Sequence, residues 1–390
     1  MGCPYASAEE RSSVGISTRI DMPVYAYGIK RNPLFWQGNK IGKAYRYGTL
    51  VFQSYQWAQG AFTSMSGIRD YMAVAAIPDS NVILVAGGST TGADYLSLVE
   101  RFTDAGVRST VSALGRAVYQ LAGAGNGSKA FFGGGGYSSL SNTSDANMYD
   151  SAGVRTSITG LNKSVRGNTA TALGNYVVIA GGRINSLSGQ TPNADAYDQN
   201  GTRTRMTDLA ASSMTLASAE SNGVAFFGFG QDGNKYPTNV SLYNTSLVRI
   251  ATTNGTITRA SLSATRSGNG VIFAGGLYVS GYIYTHRNTV EHFDTSAVRT
   301  QYSNLSAERY RLNGGYINGK SVIFGGSKYN VGAYNTIDIY NDSGVKETSR
   351  TLSGTRSMYS GSAVLGGTVY IFGGHNGSIY LSTSETISYK

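Results

Sequence analysis

The chain has 390 residues, of which 52 are glycine and 28 are tyrosine, and only 14% are charged while 41% are hydrophobic. A helical protein needs more Glu, Lys, Ala and Leu, a disordered chain has fewer apolar residues, and a membrane-spanning helix needs a run of about 18 apolar residues that this sequence lacks. The single cysteine, Cys3, excludes an intramolecular disulfide framework and a Cys-rich zinc site.

The formal net charge is +10. Residues 1–56 hold seven Lys and Arg against three acids, so +4 lies there and +6 is spread at intervals over the remaining residues. A nucleic-acid-binding surface clusters its basic residues, so we expect no nucleic-acid partner. The first residues contain two acids, Glu9 and Glu10, and no apolar segment, which argues against a secretory signal and predicts folding in a cytoplasm without membrane insertion.

An apolar run that ends in glycine recurs seven times along the chain. The first glycines of these runs are spaced 46 to 50 residues apart: Gly87, Gly133, Gly181, Gly228, Gly275, Gly325 and Gly373. Each run is followed by a short segment ending in an aromatic residue: Phe102, Tyr149, Tyr197, Tyr243, Phe293, Tyr340 and Tyr389. In six copies a tight Asx- or Gly-containing turn and a small apolar-basic segment follow, as at Val154-Arg155.

This period predicts an all-β fold in which each repeat forms one blade of four short antiparallel strands. Seven blades close a β-propeller. The seventh lacks its outer strand, because the chain stops at Lys390, directly after the seventh aromatic. We predict that a strand within Trp57–Thr63 completes that blade. The domains are then an N-terminal arm, 1–56, and a propeller, 57–390.

Charged residues also recur once per repeat. An Arg stands 15–18 residues before the first glycine in six copies, and Ser213 is near that place in the fourth; the six are Arg69, Arg116, Arg166, Arg259, Arg309 and Arg356. Acids lie two residues before the aromatic at Glu100, Asp195, Glu291 and Asp338, and directly after it at Asp150, Asp198 and Asp294. Catalysis needs one unique constellation, so this recurrence predicts hydrogen bonds in turns and between blades.

These repeats resemble kelch repeats. The resemblance rests on the leading Arg, the aliphatic strand ending Gly-Gly, and third strands such as Val99-Glu100-Arg101-Phe102, and it covers about 85% of the chain. The fourth-strand Trp of the family and the Pro after Tyr-Asp are missing here. The variant is similar to divergent kelch-like propellers of bacterial and prophage proteins, and the resemblance implies partner binding more often than catalysis.

The residues available for chemistry are few. The three histidines are His286, His292 and His375, and two of them on one face without a third ligand make a poor metal site. A copper site of the galactose-oxidase type would need a Cys within the ring, whereas Cys3 lies outside it; no sialidase-type Ser-x-Asp-x-Gly-x-Thr-Trp box is present. We therefore expect no catalytic residues, no metal and no cofactor.

The loop after the glycines differs between repeats, and its common place in every blade puts all seven loops on one face. Tyrosine, with Ser, Asn and Gly, is typical of adaptable binding surfaces. The candidate ligand-binding residues are Tyr137, Arg183, Tyr236, Tyr278, Tyr282, Tyr284, His286, Tyr329, His375 and Tyr380. The alternative is that these side chains only pack the loops together.

Residues 1–56 do not follow the repeat and combine basic with aromatic residues. The aromatics we assign to attachment are Tyr25, Tyr27, Phe35, Trp36, Tyr45 and Tyr47. A segment this short is expected to dock, either on a neighbouring subunit or on its own propeller.

The sequence as a whole predicts a non-enzymatic binding and assembly protein. The expected setting is the surface of a phage or prophage virion, as a tail, fibre or head-decoration component in a multi-subunit assembly. Its expected partners are other virion proteins, through residues 1–56, and a host glycan or surface protein. The first alternative is a bacterial extracellular or cell-surface glycan-binding propeller, and the second is a glycan-active enzyme.

Overall fold

The computed structural model describes residues 55–91, 94–184, 189–356 and 360–390, together with the backbone of six strands before residue 54. Among these residues the helical content is a single 3₁₀ turn, Pro78–Ser80, and no helix has the length and hydropathy of a membrane span. Two compact units are distinguished by their internal contacts: one comprises 1–58 with 389–390, and the other comprises 59–388.

The larger unit contains seven four-stranded antiparallel sheets, as predicted. We call them blades 1–7 and their strands inner, second, third and outer. The inner strands are Ala73–Ile77, Ala122–Gly125, Thr169–Leu173, Ala217–Ser221, Ser263–Ser267, Asn313–Ile317 and Gly361–Leu365. The second strands are Val82–Ala86, Ala130–Gly133, Tyr176–Ala180, Val224–Gly228, Gly270–Ala274, Lys320–Phe324 and Thr368–Phe372.

The two remaining strands complete each blade. The third strands are Val99–Thr103, Ala146–Tyr149, Ala194–Tyr197, Asn239–Asn244, Val290–Asp294, Thr336–Asn341 and Ser384–Tyr389. The outer strands of blades 1–6 are Arg108–Thr110, Arg155–Ile158, Arg203–Arg205, Arg249–Asn254, Arg299–Gln301 and Arg350–Thr351. Two small hairpins, Leu277–Ser280 with Ile283–His286 and Ser327–Lys328 with Gly332–Ala333, lie in the loops of blades 5 and 6.

The ring closes as the sequence predicted. Trp57–Phe62 is the outer strand of blade 7 and lies beside the third strand, Ser384–Tyr389. The side chain of Gln59 donates to Glu385 at 3.3 Å across this pair of strands. Inner strands of successive blades are neighbours, and that of blade 7 also lies beside that of blade 1. The first and last blades are therefore joined at their inner strands, and the segment that leads into blade 1 supplies the outer strand of blade 7.

The core is divided into clusters that each join two adjacent blades. Leu84 of blade 1 packs with Phe132 of blade 2, and the rings of Phe102 and Phe372, from blades 1 and 7, are 4.9 Å apart. Burial of apolar area between blades stabilises the ring by roughly 25 cal/mol per Å². Because each blade needs a neighbour on both faces, closure is required for the hydrophobic core to be complete.

A glycine pair, replaced by Phe229–Gly230 in blade 4, lets the backbone of each blade meet the linker that leads to the next blade. The second residue of the pair donates its N–H to a linker carbonyl at 2.7–3.1 Å in all seven blades: Gly88 to Val118, Gly135 to Val165, Gly182 to Ser213, Gly230 to Arg259, Gly276 to Arg309, Gly326 to Arg356 and Gly374 to Arg69. At Gly88 the φ angle is +103°, and a Cβ would lie 2.5 Å from the Asp70 carbonyl oxygen. The glycine excess thus follows from a close backbone approach.

These hydrogen bonds correct the sequence register in two blades. In blade 2 the pair is Gly134–Gly135 and not Gly133–Gly134, and in blade 4 it is Phe229–Gly230. Phe229 takes the positive φ of a first glycine, at 62°, and its ring packs on Phe273 and on the Arg259 guanidinium. Because phenylalanine rarely adopts a positive φ, the sequence pattern placed the first glycine of blade 4 at Gly228 and not at position 229.

The recurring Arg was also misaligned in two blades. Each linker is numbered here by the blade that it leads into. The linker residue whose carbonyl accepts the N–H from the preceding glycine pair is an arginine in linkers 1, 5, 6 and 7: Arg69, Arg259, Arg309 and Arg356. In linkers 2, 3 and 4 it is Val118, Val165 and Ser213. Arg116 instead forms an exposed ion pair with Asp145 at 3.1 Å, and Arg166 donates to the Tyr119 hydroxyl at 2.6 Å. In blade 7 the aromatic position is taken by Ile387, while Tyr389 stacks on Trp57 with ring centroids 4.6 Å apart.

The four linker arginines form buried ion pairs with the acids of the third strands. Arg309 donates to Asp338 at 2.5 Å, and both side chains are fully buried. Arg69 and Arg259 bind Glu100 and Glu291 at 2.5 and 2.8 Å. These three acids therefore lie in buried ion pairs that hold the linkers against the third strands.

The acids that follow the aromatics close tight turns. The Oδ1 atom of Asp150 accepts the N–H groups of Ala152 and Val154, and Asp198 and Asp294 make the same two contacts in their own blades. These carboxylates therefore hold the hairpins between third and outer strands, as predicted.

We expect Arg309→Met to lower the free energy of unfolding by about 3–5 kcal/mol, because it leaves the buried Asp338 carboxylate with only the longer ion pair to Lys346, at 4.0 Å. The double variant Arg309→Ser/Asp338→Ser, which copies the uncharged pair of blade 4, should lose less than Arg309→Met alone. Urea denaturation of both variants measures the difference. Lys328→Met is the control, since the exposed Lys328–Glu308 pair is screened by solvent and should contribute little to stability. A double variant less stable than Arg309→Met would contradict this account.

Candidate functional site

The face that carries the loops after the glycine pairs also carries the linkers between blades, and a cavity lies there at the propeller axis. Its volume is about 270 Å³. Its polar lining is formed by Tyr71, Gln120, Asn168, Thr215, Ser261, Arg311, Asn313 and Ser360, above an apolar layer of Met72, Leu121, Leu216, Leu262 and Leu312. This size and mixed lining suit a small polar molecule.

A ring of backbone hydrogen bonds fixes the mouth of this axial cavity. Five hydrogen bonds of 2.7–3.0 Å link the residues that stand two positions after each glycine-pair acceptor. Each donor N–H binds the carbonyl of the equivalent residue in the preceding linker: Gln120 to Tyr71, Gly167 to Gln120, Thr215 to Gly167, Ser261 to Thr215 and Arg311 to Ser261. All six have positive φ, between 51° and 63°. Five of them are not glycine, so the ring holds backbone conformations that cost roughly 1–2 kcal/mol each. The side chains at this position differ from blade to blade, and one is a cation.

Asp70 and Arg311 bring opposite charges to this region. Asp70 precedes Tyr71, is buried, and has no hydrogen-bond partner for its Oδ1 atom among the described residues. Burial raises the pKa of Asp70 to about 7, opposed by the positive charge of Arg311 and by a backbone hydrogen bond. Arg311 lines the cavity and stacks over the Tyr310 ring at 4.7 Å.

Four of the loop tyrosines proposed from the sequence are solvent-exposed. Tyr282 stands at the tip of the blade 5 hairpin with 98% of its surface exposed, and Tyr284, Tyr329 and Tyr137 are 44%, 52% and 41% exposed. The rings of Tyr284 and Tyr329, from blades 5 and 6, stack at 4.5 Å. Arg116 covers one side of Tyr137 at 4.6 Å. These tyrosines are accessible for contacts with a ligand.

The other candidates support the loops instead. Tyr236 is buried against Tyr278, and the ring of His286 is buried beside Tyr310. Burial and the nearby Lys328 lower the pKa of His286, and its neutral Nε2 accepts the N–H of Tyr329 at 3.0 Å. For Tyr236 and His286 the structure favours the packing alternative.

Arg183, His375 and Tyr380 are half-buried. The Arg183 carbonyl accepts from Asn142 at 2.7 Å, and the His375 Nδ1 accepts from the N–H of Gly377 at 3.0 Å. The rings of His375 and Tyr380 meet edge to face at 4.8 Å. Within the described residues no group of three or more His, Cys, Asp or Glu is arranged to hold a metal ion.

The attachment residues are placed in part. Phe35, Trp36 and Tyr45 belong to short antiparallel strands of residues 1–54, which are Ser7–Arg11 with Ser17–Asp21, Phe35–Trp36 with Asn39–Lys40, and Lys43–Arg46 with Thr49–Gln53. Tyr25, Tyr27 and Tyr47 lie outside the described residues.

Sequence reasoning missed the axial residues and two exposed apolar neighbours of the tyrosines. Ile283 and Val331 are 70% and 66% exposed, and with Tyr282, Tyr284 and Tyr329 they form what we call the blade 5–6 patch. Arg311 could have been found by its register, because it stands two residues after Arg309, at a position whose side chain changes in every repeat.

Comparison with solved structures agrees with this architecture. The fold is similar to that of YjhT, with a TM-score of 0.57 and 12% sequence identity over 74% of this chain and 99% of that one. No protein-family model matches the chain, and no curated protein matches it by sequence. The chain is a seven-bladed β-propeller with a propeller as structural neighbour.

Asp70 predicts a pH dependence of stability. An unfolded Asp has a pKa near 3.9, and the folded value is about 7, so between these values the folded state binds more protons and the unfolding free energy falls as pH rises. Asp70→Asn should therefore gain stability relative to wild type as pH increases from 5 to 8, measured by urea denaturation. Asp94→Asn, on an exposed loop, should track wild type. A constant difference between Asp70→Asn and wild type across this range would refute the assignment.

Proposed function

We propose that this chain is a non-enzymatic binding protein whose loop face recognises a glycan on a host surface. The observation that carries the proposal is the blade 5–6 patch, where two tyrosines stack across neighbouring blades beside three further exposed side chains. Tyrosine offers a large rigid contact area and a polar hydroxyl, which suits the apolar face and the hydroxyl rim of a sugar ring. The recurring acids support a binding role over catalysis, because they are engaged in ion pairs and turns.

We further propose that the repeats are divergent kelch repeats. The linker Arg, the glycine pair and the third-strand acid act together in blades 1, 5, 6 and 7, and this combination is the basis of the resemblance. The proposal concerns ancestry and does not specify a ligand.

The setting we propose is the surface of a phage particle, with residues 1–56 contacting another particle protein in a multi-subunit assembly. The net charge of +4 and the six aromatics of this segment support docking on a protein surface. A bacterial extracellular glycan-binding propeller is the alternative setting for the same binding face.

A glycan array probed with the full chain tests the binding proposal. Tyr329→Ala and Tyr282→Ala should each weaken binding to any glycan hit by tenfold or more, because truncation of an aromatic anchor costs about 2 kcal/mol. Val248→Ala is the matched control, since Val248 is exposed in a turn at the opposite end of the strands. Binding that is retained in both tyrosine variants, or an array without hits, would rule out this role for the patch.

The particle proposal is tested by mass spectrometry of purified phage particles and by amine cross-linking. We expect the chain at constant copy number per particle, with cross-links from Lys30, Lys40 or Lys43 to a different particle protein. Absence of the chain from washed particles, together with its recovery from the bacterial surface, would favour the alternative setting.

A further inference from the structure

The buried arginines of blades 1, 5, 6 and 7 occupy a common site, which we call the arginine socket. In each, a linker guanidinium binds the acid of the third strand: Arg69 with Glu100, Arg259 with Glu291, Arg309 with Asp338 and Arg356 with Glu385, at 2.5–3.3 Å. Each pair neutralises a carboxylate that is no more than 2% exposed.

Two backbone carbonyls complete the socket. Arg309 Nη1 donates to the carbonyls of Gly325 and Thr336, both at 2.9 Å. Arg356 repeats this with Gly373 and Thr383 at 2.6 and 3.0 Å. The acceptors are in each case the first residue of the glycine pair and the residue two positions before the acid. The socket is therefore a cation site formed by one carboxylate and two carbonyl oxygens.

The acid also has a second, constant role in the fold. In every blade the side chain at the acid position accepts a backbone N–H from the linker. The donor stands three residues before Arg69, Arg259, Arg309 or Arg356, or before the residue that replaces the arginine in blades 2 to 4. The donors are Ser66, Gly115, Asn162, Ala210, Thr256, Ser306 and Ser353. This contact requires an acceptor but no charge, so Asn147 in blade 2 and Ser241 in blade 4 fulfil it.

Blades 2 and 4 have lost both charges together. Val118 and Asn147 replace the pair in blade 2, and Ser213 and Ser241 replace it in blade 4. Blade 3 has lost only the cation, because Val165 stands opposite Asp195. It is thus the one described blade in which the acid lacks the arginine.

The surroundings of Asp195 retain the acceptors of the socket. Asp195 is 2% exposed; its Oδ2 accepts from Asn162 at 3.0 Å, and its Oδ1 has no hydrogen-bond partner among the described residues. A cavity of about 10 Å³ adjoins it, lined also by Val165, Gly181 and Asn193. Gly181 and Asn193 are the equivalents of the residues whose carbonyls bind arginine in other blades. A volume of this order holds one atom the size of a water molecule.

Two of the three nearby positive side chains bind other groups. Arg203 donates to the carbonyl of Gly160, and Arg205 donates to the Ala194 carbonyl and forms an ion pair with Asp208. Lys163 lines the cavity with an exposed side chain. Burial raises the pKa of Asp195 despite the charges of Arg203 and Arg205.

We propose that the blade 3 socket binds one monovalent cation of the size of Na⁺ or K⁺, which takes the place of the arginine guanidinium. Its ligands are the Asp195 Oδ1 and the carbonyl oxygens of Gly181 and Asn193. The single negative charge of Asp195 balances a monovalent ion, whereas a divalent ion such as Ca²⁺ would keep an uncompensated charge in a buried site. The ion satisfies a buried carboxylate where the chain supplies no guanidinium.

Thermal unfolding of the full chain tests this site, with Na⁺, K⁺ or choline as the chloride salt at one fixed ionic strength. Binding to the folded state should raise the unfolding midpoint by about 2 °C for each tenfold increase of Na⁺ or K⁺ above its Kd. Choline, which is too large for the cavity, should give no such rise. Equal midpoints in all three salts would mean that the cavity holds water alone and would overturn the proposal.

Variants assign the effect to the socket. Asp195→Asn should abolish the difference between Na⁺ or K⁺ and choline, and Val165→Arg should abolish it while maintaining the midpoint, because it installs the guanidinium of the other blades. Ser213→Val, at the uncharged socket of blade 4, is the matched control and should retain the difference. If Asp195→Asn does not fold, Val165→Arg decides alone. A cation effect that persists in Val165→Arg would overturn the proposal. Lys163→Met removes the lysine that lines the cavity, and a cation effect seen only in this variant would show that Lys163 occupies the site in the wild type, which would also overturn the proposal.

Discussion

The hydrogen bond from the second residue of each glycine pair to the next linker is the contact on which the rest of the structure depends. It fixes where each linker crosses the top of the preceding blade, and its seven copies run around the ring from Gly88 to Gly374. Two residues further along each linker, the backbone reaches the axis and starts the inner strand. The axial cavity and the loop face therefore share one end of the propeller, because the same linker residues position both.

Buried charge is the second constraint, and the blades satisfy it in two ways. Four blades pair arginine with an acid, and two replace both partners with uncharged residues. Replacing a buried ion pair as a unit is often energetically neutral, whereas removing one partner is costly, so the two solutions can coexist in one ring. Blade 3 fits neither solution, which makes Asp195 distinctive although its sequence context looks like that of the other acids.

Much of the architecture could be predicted from the sequence, because a period of about 48 residues imposes the same strand pairing in every blade. Closure by Trp57–Phe62 followed from the count of strands. The misassigned residues are Gly133, Gly228, Arg116, Arg166 and Tyr389. They occur where side chains differ from blade to blade while the backbone repeats, because residue types alone do not report φ. The binding residues were harder to predict than the fold. Tyr236 and Tyr282 both lie in loops after the glycine pairs, yet Tyr236 is buried and Tyr282 is almost fully exposed. Tertiary packing of neighbouring loops decides this.

The two ends of the strands differ in how much they vary, and this difference bears on recognition. The turns between third and outer strands use the same Asx acceptor at Asp150, Asp198, Asn244, Asp294 and Asn341, so that end repeats its surface from blade to blade. The loop end carries a ten-residue hairpin in blade 5, Leu277–His286, and a shorter one in blade 6, and the axial ring has a different side chain in each linker. A single ligand of low symmetry needs a surface that occurs once. Among the described residues, only the loop end of the propeller has a surface that differs from blade to blade. The fold tolerates this variation in side chains because the glycine-pair contact beneath the loops is made by backbone atoms.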